Sequence, residues 1–166
     1  NADGYRVEFL TSNRGSDDYI DQPARMPALG GASADPLRFL DFLIKEPVRT
    51  ILLHRSGIPV VVPDPSRYAV HKLIVASRRY TDGQGPAKRE KDIRQAALLF
   101  EALQQTRRSA DLALVYNEAW ERGPAWQEAI RIGAGMLAEP DGNRFQTVLI
   151  EGAKKNREDI ELPFSE

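Results

Sequence analysis

The chain has 166 residues, 42% of them hydrophobic, and a formal net charge of −1, enough apolar material to bury a core as one domain, or as one domain with a small appendage. It contains no cysteine, which excludes disulfides, thiolate zinc sites and cysteine nucleophiles, and its two isolated histidines, His54 and His71, cannot build a histidine-rich metal site. No apolar run approaches the length of a membrane span and no charged-then-apolar leader is present, so a soluble, cytoplasmic protein is expected.

Tyr5 to Thr11 alternates and is rich in β-formers, which predicts a strand. The following stretch, Ser12 to Ala32, reads as a long loop from its Gly, Pro, Asp and Ser content. Asp35-Pro36 resembles an N-cap and first helical position, and Leu37, Leu40, Leu43 and Ile44 then recur at helical spacing until Pro47. Val48 to His54 and Ile58 to Val62 are apolar β-branched runs separated by Arg55-Ser56-Gly57, the signature of a tight hairpin.

From Pro63 the period changes to that of helices. Val70, Leu73 and Ile74 give the first helix a buried side, while Tyr68, Lys72 and Arg79 share another face. After Gly83, Gly85 and Pro86 a second helix buries Ile93, Ala96, Ala97, Phe100 and Leu103. Ser109 caps a third, with Leu112, Val115, Tyr116, Ala119 and Trp120 in its stripe. A fourth starts at Pro124 with Trp126, Ala129, Ile130, Gly133, Ala134 and Leu137. A fifth, weaker segment carries Phe145, Val148 and Leu149 ahead of a charged tail, Glu151 to Glu166. Gly133 and Gly135 within a helical pattern point to close helix packing or a weakened turn, since no strand precedes them to make a phosphate loop. Both tryptophans lie in helical stripes and read as core; His54 and His71 read as local hydrogen-bonding residues.

The expected architecture is therefore α+β, a small partial β-sheet of about three strands in residues 1–62 followed by a bundle of four to five helices in residues 63–166. Such a sheet leaves an edge for strands lying upstream in a longer parent protein.

The densest chemical signal is positive charge. From Lys72 to Arg94 there are seven Lys/Arg (Lys72, Arg78, Arg79, Lys88, Arg89, Lys91, Arg94) against three acids, Asp82, Glu90 and Asp92. This predicts a place for an anion. The plain alternative is a solvated charged surface. Glu8, alternating with Arg6 and Leu10, is on its own equally an ordinary edge-strand acid.

The order of Val7-Glu8-Phe9, a strand pair leading through VPDPSRYAVHKLIVASRR into a helix, and a helix opening with KD resembles the nucleotidyltransferase-fold proteins. It is similar to a bacterial uncharacterised subgroup, and more distantly to toxin-type nucleotidyltransferases of abortive-infection and toxin–antitoxin systems. The resemblance covers most of the chain through about Leu103. It implies that Glu8 matches the third metal-site carboxylate, Lys72 the triphosphate-facing lysine, and Asp92 the acid that follows it, either beside the metal or pairing with Lys72 to orient it. Arg14 and Arg79 are the further candidates for nucleotide phosphates. It implies Mg²⁺ as cofactor, an NTP as substrate, an acceptor that is RNA, protein or small molecule, and an antitoxin-like partner.

One departure is plain. No glycine-serine turn followed by an alternating acidic pair lies ahead of Glu8, and Gly30-Gly31-Ala32-Ser33 falls after it, with only Asp35 before a proline. The resemblance thus implies the C-terminal portion of an Mg²⁺-dependent nucleotidyltransferase, inactive by itself. The alternative is a non-catalytic binding module whose basic helix pair docks nucleic acid or an acidic partner protein.

Overall fold

The computed structural model describes residues 8–13, 23–79 and 85–164. The chain divides into two compact units, Asn1–Lys45 and Glu46–Glu166. Its character is α+β as expected, with the change from strand to helix falling between Val62 and Pro65.

The first unit holds β1 (Leu10–Ser12), β2 (Ala24–Met26), a 3₁₀ turn (Pro27–Leu29), β3 (Ala32–Leu37) and the single helical turn α1 (Leu40–Leu43). The strand order is β1-β3-β2, with β1 parallel and β2 antiparallel to the central β3. Two expectations are corrected. The stretch from Ser12 to Ala32 contains β2, which turns back onto β3 through Gly30 and Gly31, both at positive φ. Asp35-Pro36 does not open a helix but lies inside β3. Proline is tolerated there because the two flanks of β3 are used in sequence. Ala32 to Ala34 pair with β2, Asp35 to Leu37 pair with β1, and the β1 ladder employs the Asp35 N–H and Leu37 carbonyl. Pro36 therefore has no ladder donor to lose. The helix starts only at Leu40, after Phe39 in the left-handed region. The unit's buried side chains include Ala34, Phe39, Leu40 and Phe42.

The second unit opens with the expected hairpin, β4 (Val48–Leu52) antiparallel to β5 (Ile58–Val62). Its turn places Arg55 and Gly57 at positive φ. Five helices follow: α2 (Pro65–Ser77), α3 (Gly85–Gln105), α4 (Ser109–Trp120), α5 (Pro124–Gly135) and α6 (Glu139–Asn156). The Asp64 carboxylate starts α2 by accepting from the Ser66 and Arg67 N–H groups, with Pro65 in the first turn. Val70, Leu73, Ile74, Phe100, Leu112, Tyr116, Ile130, Phe145, Val148 and Leu149 are fully buried, as the helical period requires. Phe100 and Phe145 stack at the centre, 4.2 Å between ring centroids.

The departures among the helices are local. Ile93 and Leu137 are only half-buried, and Trp126 is partly exposed beneath the Arg122 guanidinium. Ser109 lies inside α4, where its hydroxyl accepts from Lys155. The segment read as weak is the long helix α6, which runs through the first part of the charged tail and buries Gly152 and Ala153. Beyond it, the Glu161 carbonyl accepts from the Tyr116 hydroxyl, while its carboxylate accepts from Trp120 and Arg131. Burial and the adjacent Glu161 charge push the Tyr116 hydroxyl far above the usual phenol range.

Helix α5 approaches α2 so closely that a Cβ on Gly133 would overlap the Leu73 backbone carbonyl, whereas Gly135 faces open space. Gly133→Ala should cost about 2 kcal/mol of stability through forced separation of the two helices. Gly135→Ala should be neutral or slightly stabilising, and urea unfolding of the two variants measures the contrast.

Candidate functional site

Helix α2 presents Tyr68 and Lys72 on one side because a step of four returns to nearly the same direction, whereas Arg79, expected on that helical face, lies beyond the helix end at Ser77 and reaches the same place from the following segment. Helix α3 packs against it and turns Asp92 inward, leaving that carboxylate with no exposure to solvent. Lys72 donates from Nζ to Asp92 Oδ1 at 2.7 Å, and Arg79 donates from Nε to Oδ2 at 3.0 Å. The Lys72 ammonium also lies 4.9 Å from the centre of the Tyr68 ring, a cation–π contact that holds the stem of the lysine against its own helix. Two cations thus converge on one buried anion. The excess positive charge reaches solvent mainly through Arg79, whose side chain is 35% exposed against 13% for Lys72. A partly open guanidinium beside a nearly closed ammonium can meet an anionic ligand without first paying to order either side chain.

His71 adjoins this cluster. Its Nδ1 is buried without a hydrogen-bond partner among the described residues, which corrects the expectation of a local hydrogen bond. Burial, together with the Lys72 and Arg79 charges and against the pull of Asp92, lowers its pKa from 6.5 to about 4. His71 is neutral at physiological pH and adds no charge to the cluster.

A second ionic clasp was not legible from spacing. Arg67, almost completely buried in the first turns of α2, donates to Glu46 at 3.2 Å and to Glu118 of α4 at 2.8 Å. Arg108 ties the N-cap Asp64 to the start of α4 at 2.9 Å. For Asp64, burial alone would raise the pKa, but the Arg108 hydrogen bond and the Ser66 and Arg67 N–H groups outweigh it, and the carboxyl sits below its usual range. These pairs fix α2 against α4 and hold the lysine-bearing face in place.

Of the remaining sequence candidates, Glu8 belongs to the first unit, where it is exposed just ahead of β1. Arg14 lies outside the described residues. For the Mg²⁺ expected from the family resemblance, the described residues offer no assembled donor set. Among the described residues no group of three or more His, Asp or Glu side chains is arranged to hold a metal ion, and both oxygens of Asp92 are already engaged by cations.

Residues 1–121 match the family model described as Nucleotidyltransferase. No curated protein and no solved structure matches the chain. No helix among the described residues is long and apolar enough to cross a membrane.

Removing the buried anion leaves two cations facing each other, so Asp92→Asn should lower stability by about 3 kcal/mol, read from the urea midpoint. His71 supplies a pH signature. Its folded pKa lies below the unfolded 6.5, so the unfolded chain takes up the proton first. The stability it contributes is present above pH 6.5 and is lost as pH falls toward 4. Unfolding midpoints collected across that window should fall for the parent chain and flatten for His71→Gln.

Proposed function

The chain belongs to the nucleotidyltransferase family, and from that membership we propose that its Lys72, Arg79 and Asp92 cluster binds the triphosphate of an NTP during transfer of a nucleoside monophosphate to an acceptor. The observation that carries this reading is the fully buried Asp92 carboxylate holding the Lys72 and Arg79 cations in place. In the transfer, an acceptor hydroxyl oxygen bonds to the α-phosphorus, the bond from that phosphorus to the α–β bridging oxygen breaks, pyrophosphate leaves, and the hydroxyl proton passes to solvent or a base. Negative charge builds on the phosphoryl oxygens and on the leaving pyrophosphate, where preorganised cations act most strongly.

In this proposal Lys72 and Arg79 contact the phosphates, and Asp92 is a positioning residue acting through them. For Glu8 and Arg14 the proposal rests on the resemblance alone, which implies a metal-site carboxylate and a further phosphate contact; magnesium is the expected counter-ion of the NTP. The paired carboxylates that follow a glycine-serine turn in the family come, in this reading, from outside these residues. The chain alone is expected to bind nucleotide without transferring it.

Titration of the protein with ATP and Mg²⁺ tests the assignment. Lys72→Ala should weaken binding by about tenfold or more, the loss of one charge-assisted contact. Arg79→Ala should weaken it in the same direction. A folded Lys72→Ala protein that binds ATP as the parent does would overturn the proposal, with circular dichroism reporting the fold.

A further inference from the structure

The two tyrosines among the described residues have opposite surroundings. Tyr116 is fully buried and its hydroxyl donates to the Glu161 carbonyl. Tyr68 is half-buried, and its hydroxyl, which makes no hydrogen bond among the described residues, is not closed off from solvent. Its ring lies 4.9 Å from the Lys72 ammonium. A tyrosine serving the core would be covered and its hydroxyl paired, as Tyr116 is. Tyr68 instead stands at the rim of the cation cluster.

That cluster has a direction along α2. Tyr68 precedes Lys72 by one turn, about 6 Å along the axis, and Arg79 follows just past the helix end at Ser77. Asp92 holds Arg79 through Nε alone. The two terminal nitrogens of that guanidinium have no partner among the described residues and reach solvent; they are the fork that grips phosphate oxygens in pairs. The Lys72 ammonium, by contrast, is shared between the Asp92 carboxylate and the Tyr68 ring. An NTP has a matching direction. Its β- and γ-phosphates hold most of the negative charge, whereas its α-phosphate holds less and carries the nucleoside through one oxygen and one methylene. The open fork suits the β,γ end, and the ammonium beside an aromatic ring suits the α-phosphate. In the reverse orientation the nucleoside would lie away from Tyr68, and the least charged phosphate would face the open guanidinium.

We propose that the NTP lies along α2 with its nucleoside packed on the Tyr68 ring, its α-phosphate at Lys72 and its β- and γ-phosphates at Arg79. This rests on the function proposed above and adds to it the direction of the substrate and the side chain that recognises the nucleoside. Stacking on a π-face is open to every nucleobase, so Tyr68 distinguishes a nucleoside triphosphate from inorganic polyphosphate without choosing the base. The same direction puts the leaving pyrophosphate at Arg79, where its growing charge meets the open guanidinium.

Calorimetric titration with ATP and, separately, with tripolyphosphate, both with Mg²⁺, tests the arrangement. Tyr68→Leu, which keeps apolar volume beside the lysine stem but removes the ring, should weaken ATP binding about tenfold, the loss of one base–aromatic contact. Its affinity for tripolyphosphate should match that of the parent, which also certifies the fold and the cation cluster. Tyr68→Phe, which keeps the ring, should bind ATP as the parent does. Lys72→Ala and Arg79→Ala should weaken both ligands. A Tyr68→Leu protein that binds both ligands normally, or loses both equally, would overturn the inference and leave the phosphate-binding reading in place. So would a Tyr68→Phe protein as weak for ATP as Tyr68→Leu. A parent chain that binds neither ligand would overturn the proposed function and this inference with it.

Discussion

The burial of the Asp92 carboxylate governs the second unit. An isolated carboxylate removed from water would be neutralised or expelled, so the α2–α3 pair can close only with Lys72 and Arg79 on its two oxygens. That requirement fixes the helices in register as well as in distance. It also leaves two cations matched to one anion, so the contact that joins the helices creates the positive site. Structure and candidate chemistry here share one interaction.

Helix α2 is held from its other sides by quite different means. Arg67 and Asp64 bind it to the N-terminal hairpin junction and to α4 through charge, and Gly133 lets the α5 backbone approach the Leu73 carbonyl. A helix constrained by ion pairs on two flanks and by backbone contact on a third has little freedom to rotate. Lys72 inherits that fixity, and Arg79, just past the helix end, is tied to it through Asp92. His71, lodged beside them as a neutral ring, fills the space without adding to their repulsion.

The helical half was largely legible in the sequence because its cores repeat with the helical period, and nearly every position assigned to a stripe from Val70 to Leu149 is buried. The pairing of Lys72 with Asp92 is one of the two roles that the family resemblance left open for the acid, and the structure shows that contact. Arg67 escaped because an arginine among polar residues gives no sign of being buried until its acids, far along the chain, are brought to it. Helix α6 was underread for a local reason: Asp141-Gly142-Asn143 looks like a turn, and only the packing of Phe145, Val148 and Leu149 overrides that preference. The first unit was read least well. Its strands are short, and the Asp-Pro step that usually opens a helix is harmless in β3 because the neighbouring ladders exchange sides there.

A buried charge cluster is a poor way to gain stability, since apolar side chains of similar volume at 72, 79 and 92 would pack α2 on α3 without the desolvation penalty. The rest of the unit already secures the helix pair through Val70, Leu73, Ile74, Ala96 and Phe100, all fully buried. Adhesion alone therefore does not account for the cluster. What the ionic arrangement supplies, and an apolar one could not, is positive charge held in place before any ligand arrives.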